Sequence, residues 1–147
     1  MTVPPAPRRD GMHPTIRSAL VLLAGVVLSV LVVILMDTLV GSLYPLPAGT
    51  DMNDQVSMRR AVAAMPTPAF VLMLAGWVLA AGAGAYLAAR LATRSAAMHG
   101  MIVSVFVLVA TVANLAAIPH PTWLWPAGII LIPAAGWVAA RLVKGVR

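Results

Sequence analysis

The chain has 147 residues, 61% hydrophobic and 10% charged, with a mean hydropathy of +0.95; soluble domains usually carry about 25% charged residues, so an ordinary soluble fold is excluded. The formal charge of +6 does not point to nucleic acid, because the basic residues flank apolar segments instead of forming a patch interleaved with aromatics. Cysteine is absent, which removes disulfides, thiol nucleophiles, thiolate metal sites and haem attachment.

The composition and length fit one membrane domain, residues 16–142, between a tail at 1–15 and a tail at 143–147. The first span is expected at about Ser18–Met36. It follows Arg8, Arg9 and Arg17 and ends in Asp37, without the small-residue cleavage site of a secretory signal, so it reads as an uncleaved helix. An outward loop follows at 41–67. Tyr44-Pro45-Leu46-Pro47-Ala48-Gly49 reads as extended or turning. Asp51 is placed to cap a short amphipathic helix lying on the membrane face, with Asp54 in its first turn and Met52, Val56, Arg59 or Arg60, and Ala63 at helical spacing. The Asp51-Asn53-Asp54 cluster lacks the ligand alternation, glycine and closing glutamate of an EF-hand, so no metal is expected there.

The second, third and fourth spans are expected at about 69–89, 96–118 and 122–140. Each is roughly 29–35 Å of helix, which matches a hydrocarbon core of about 30 Å. Helices are the expected spans because each satisfies its own backbone. If the spans alternate, Arg8, Arg9, Arg17, Arg90, Arg94, Arg141, Lys144 and Arg147 fall on one side, and only Arg59 and Arg60 on the other. By the positive-inside rule both termini are cytoplasmic. Glu is absent and Arg supplies nine of the ten basic residues, a bias that suggests a GC-rich bacterial genome. The expectation is an all-α, four-helix bundle in a bacterial inner membrane.

The two halves look alike. Met65-Pro66-Thr67-Pro68 and Ile118-Pro119-His120-Pro121 enter the second and fourth spans, and Ala88-Ala89-Arg90-Leu91 and Ala139-Ala140-Arg141-Leu142 leave them. Prolines that start helices and arginines that end them are also general membrane features; a true duplication would make two parallel-repeat hairpins. Gly76, Ala80, Gly84 and Ala88 form a small-residue stripe for close helix packing, within the bundle or between copies. Gly128, Gly136 and Ala140 form a similar stripe, and Pro126 and Pro133 are placed to kink the last span.

Three polar residues stand out as a ligand or proton site. Asp37 sits at the outer end of the first span, where a carboxylate is a functional candidate or else an interfacial group facing water or pairing with Arg59 or Arg60. His120 lies in the rigid Pro119-His120-Pro121 turn on the same side, placed to pair with Asp37 or to serve as a polar turn residue. Asn114 makes a thin polar stripe with Ser104 and Thr111, for cross-helix hydrogen bonds or a polar path. Trp123 and Trp125 read as interface anchors at the rim of such a pocket, and His99 as a headgroup-level residue. No catalytic residue, cofactor or metal is expected, since no His-Glu zinc motif, Gly-x-Ser-x-Gly, Walker loop or dinucleotide fingerprint occurs.

Asp37, Tyr44-Pro45-Leu46-Pro47, the stripe from Gly76 to Ala88, Asn114 and Ile118-Pro119-His120-Pro121-Thr122-Trp123 occur in an order that resembles a group of small uncharacterised bacterial four-helix inner-membrane proteins. The resemblance covers most of 16–142, and the Pro-His-Pro-x-Trp turn is its most specific part. Members of that group often have Glu at the position of Asp37. The resemblance implies fold and membrane location and draws Asp37, Asn114 and His120 together as one outward cluster. The functional expectation is a small transporter-like module or accessory subunit. A partner-binding scaffold and a lipid-modifying enzyme are the alternatives. The expected partners are the lipid bilayer and a membrane protein or second copy.

Overall fold

The computed structural model describes residues 13–144. Among these it has five helices and no strand: α1 (Pro14–Leu43), α2 (Gln55–Ala63), α3 (Thr67–Leu91), α4 (Ala96–Ala117) and α5 (Leu124–Lys144). All but α2 are long and apolar enough to cross a membrane, so the chain is an all-helical multi-pass membrane protein. Arg8, Arg9 and Arg147, which carry part of the charge asymmetry, lie outside the described residues.

Helix α1 overruns the expected span at both ends. It starts on Pro14, whose missing N–H costs nothing in a first turn, with the His13 ring accepting from the Thr15 N–H at 3.4 Å. It then passes through Asp37 to Leu43. One carboxylate does not interrupt the backbone ladder; the stop comes at Tyr44, because Pro45 disfavours helical geometry in the residue before it. The loop is correspondingly shorter than 41–67.

The cap of α2 is Asp54, not Asp51. Asp54 has extended backbone angles, and its carboxylate accepts from the N–H groups of Val56 and Ser57. Asp51 instead accepts from the Asn53 N–H at 2.8 Å, a local turn one step earlier. Ala61 and Val62 are buried and Met58 packs beneath them, while Met52 and Val56 are exposed. In α5 both prolines fall inside one uninterrupted helix. Pro126 sits in the first turn, where no N–H partner is required.

Helix α3 is the centre of the bundle and touches α1, α4 and α5; α1 also meets α4 but not α5. Small residues explain the closeness of α1 and α3. Ser29 Oγ donates to the Ala80 carbonyl oxygen across the interface at 2.9 Å, and a Cβ on Gly84 would collide with that hydroxyl. The stripe of Gly76, Ala80, Gly84 and Ala88 is therefore an internal seam.

The same lock recurs between α4 and α5. Ser104 Oγ donates to the Ile132 carbonyl oxygen at 3.0 Å, and a Cβ on Gly136 would collide with Ser104. In each case the accepting carbonyl lies four residues before the glycine. Two further contacts match. A Cβ on Gly25 would lie 3.0 Å from Ala88 Cβ, and one on Gly100 would lie 2.9 Å from Ala140 Cβ. A Cβ on Gly76 would meet Met36 at 2.7 Å, and one on Gly128 would meet Thr111 at 3.6 Å. All these pairs share one register, with a shift of 75 residues from α1 to α4 and of 52 from α3 to α5. The mutual packing of the halves is less even, since α4 touches α3 whereas α1 does not touch α5.

Candidate functional site

The locks sit near the middle of the helices, and close packing continues from them toward the start of α1 and the end of α5. Toward the α2 end α1 and α4 separate, although α1 stays close to α3 where Gly76 faces Met36, and the helices enclose a cavity of about 530 Å³. Its walls follow from side-chain size. Above Gly25 and Ser29, α1 presents Val30, Val33 and Ile34, and α4 presents Phe106 and Val107. Trp77 of α3 forms part of the floor and is buried. Met58 and Val62 reach down from α2, so this helix roofs the cavity through side chains.

Asp37, Asn114 and His120 all line this one cavity. They come from α1, α4 and the turn before α5, and no local sequence relation joins them. Asp37 reaches it because α1 continues as a helix past the expected end of the span. Asn114 reaches it with Thr111 from one face of α4. The polar stripe on α4 thus divides: Ser104 is spent on the α4–α5 lock, while Thr111 and Asn114 face the cavity.

His120 is held on the α3 side of the cavity. Its Nδ1 lies 2.7 Å from the Ile118 carbonyl oxygen, and because a carbonyl only accepts, Nδ1–H is the donor. The ring meets Phe70 and Trp77 edge-on, at centroid distances of 6.2 and 6.3 Å. These contacts explain a difference from the sequence expectation: no ion pair within 4.0 Å joins His120 to Asp37. Arg59 and Arg60 make no such pair with Asp37 either, and both are exposed. Among the described residues, Asp37 has no hydrogen-bond or ion-pair partner.

Trp123 and Trp125 do not line the cavity. They stand where α5 begins, and α5 packs on α3 and α4, away from the side where α1 and α4 face each other. Tyr44 and Leu46 from the Pro-rich loop and Met65 before α3 take the rim positions instead. Sequence reasoning missed Trp77, Tyr44 and the methionines. Trp77 lay inside an apolar run far from either headgroup region, a depth at which tryptophan is uncommon. That was a usable signal; the methionines offered none.

His99 is buried at the terminal end. Its Nδ1 lies 3.2 Å from the Ser95 carbonyl oxygen, and it lines a smaller pocket with Arg17 and Arg94. Ser95 has the left-handed φ of 49° at the start of α4. No family model, curated protein or solved structure matches the chain.

Proposed function

We propose that this protein is a non-enzymatic module of a bacterial inner membrane, transporter-like or an accessory subunit, whose cavity at the α2 end takes a ligand. The observation that carries the reading is the convergence of Asp37, Asn114 and His120 from separate elements on one cavity. An acidic group on a membrane helix is costly and is retained most readily where it does something. Both termini are assigned to the cytoplasm and the cavity to the outer face, on the charge asymmetry. The chain lacks cysteine, so single cysteines at Ala48 and Thr93 test this topology directly. Only Ala48→Cys should react with an impermeant thiol reagent in intact cells.

Asp37→Asn tests the site. Loss of proton or solute flux, or a growth defect with normal expression, is expected; unchanged growth, expression and flux would sink the assignment. Recovery of a stoichiometric protein partner from native membranes would make the chain an accessory subunit. The matched locks support descent of the two halves from one duplicated hairpin. They disfavour the Gly76–Ala88 stripe as a surface for a partner, because α1 already occupies it. A scaffold role would fall to the exposed Met52 and Val56 on the α2 side. A lipid-modifying enzyme is the remaining alternative, and unchanged lipid profiles on deletion of the gene would exclude it.

A further inference from the structure

We infer that the cavity binds a lipophilic organic cation, which enters sideways from the bilayer between α1 and α4. The inference rests on the reading of the cavity as a ligand site and adds the ligand's class and route.

The route follows from the helix contacts. At the tight end Val103 of α4 packs against Gly25 of α1, within 2.9 Å of where its Cβ would lie. Beyond Ser29 the cavity separates the two helices. The residues flanking the gap line the cavity and also face outward: Val30 is 44% exposed, Ile34 56% and Phe106 47%. On helices of this length and apolarity, such exposure means contact with lipid tails. A hydrophobic molecule dissolved in the bilayer therefore reaches the cavity without crossing water.

The class follows from the lining. A volume of about 530 Å³ falls within the roughly 300–1,000 Å³ typical of small organic ligands. A bare divalent ion would instead need about six oxygen ligands at close range. Most lining side chains are apolar, no Lys or Arg is among them, and Asp37 is the single acidic one. Asp37 is exposed at the mouth of the cavity with no partner among the described residues, and a carboxylate so placed attracts positive charge. Trp77, Tyr44 and Phe106 line the same space, and aromatic faces favour organic cations. An amphiphilic anion would meet the carboxylate and no Lys or Arg to offset it.

The test uses the full chain in phosphatidylcholine nanodiscs with three radiolabelled probes of related shape. These are tetraphenylphosphonium (a cation), triphenylmethanol (neutral) and tetraphenylborate (an anion). Saturable binding of the phosphonium alone is expected. Asp37→Asn should weaken it roughly tenfold or more, as loss of one charge-assisted contact implies. Ala110→Trp, which narrows the gap from α4 without touching the carboxylate, should slow its uptake. Asp51→Asn, outside the cavity, should bind normally. Variants are compared after size-exclusion and thermal-melt checks of folding. If triphenylmethanol binds as well as the phosphonium and Asp37→Asn changes nothing, the cationic class is wrong although the ligand site survives. If none of the three binds saturably, both ideas fall.

Discussion

The two ends of the bundle are built on opposite principles. At the terminal end, Gly25, Gly84, Ala88, Gly100, Gly136 and Ala140 let helix backbones meet, and two serines tie the pairs together. At the α2 end the same helices carry Met73, Trp77, Phe106 and a run of valines, and a cavity remains. Membrane helices gain no hydrophobic drive from meeting each other, so their separation is set by side-chain size and a few hydrogen bonds. Close approach at one end and bulk at the other open a wedge between α1 and α4, while Gly76 keeps α3 against α1 at Met36. Rigidity and a ligand-sized space thus come from one gradient of residue volume along α1, α3 and α4.

The largest effect should come from breaking the tight end. Gly84→Leu forces a side chain into Ser29 and the α1 backbone. It should cost about 3 kcal/mol or more, at or beyond the usual limit for overpacking, seen as loss of the monodisperse peak in fluorescence-detected size exclusion. Gly82→Leu, on the same helix with open space around it, should elute like the parent; equal damage from both would dissolve the contrast.

Next in size, Asp54→Ala removes the cap of α2 and should cost about 1 kcal/mol. Because α2 meets the bundle through side chains only, the effect should be local. Amide exchange should quicken over 55–63 while the melt of the whole bundle barely moves. A global loss of stability would mean that the roof is part of the tight core.

Ser29→Ala and Ser104→Ala should each cost about 0.6 kcal/mol, as cross-helix hydrogen bonds in membranes do. The two locks join different helix pairs and share no hydrogen-bond partner, so the double variant should be close to additive. Marked non-additivity in thermal unfolding would argue against two equivalent and independent locks. The smallest effect on stability is expected for Asp37→Asn. Its carboxylate has no partner among the described residues to lose, so the melt should stay within about 0.5 kcal/mol of the parent while ligand binding fails.

Much of the architecture was legible residue by residue. Uninterrupted apolar runs located all four long helices, and Pro66-Thr67-Pro68 marked the start of α3. The apolar run ending at Met36 gave the expected span, while α1 continues as helix through Asp37 and ends only before Pro45. The cap of α2 was misplaced by one turn because two aspartates lie close together and only backbone geometry separates a cap from a turn. For the site, Asp37, Asn114 and His120 could be chosen as polar residues in apolar surroundings. Their shared cavity, its aromatic floor and its gap toward lipid could not, because these depend on contacts between residues distant in the chain.

Composition and hydrophobic run length by themselves determined that this chain is helical and multi-pass, since a membrane core accepts only segments that satisfy their own backbone. The spacing of its small residues also determined which faces were able to meet. Tertiary structure alone decided that the Gly76–Ala88 stripe is filled by α1, that the serines of both halves make the same lock, and that Asp37 stands unpaired beside a cavity. Those outcomes depend on how far apart two helix axes settle. That distance reflects every side chain along the interface at once, and no local segment encodes it.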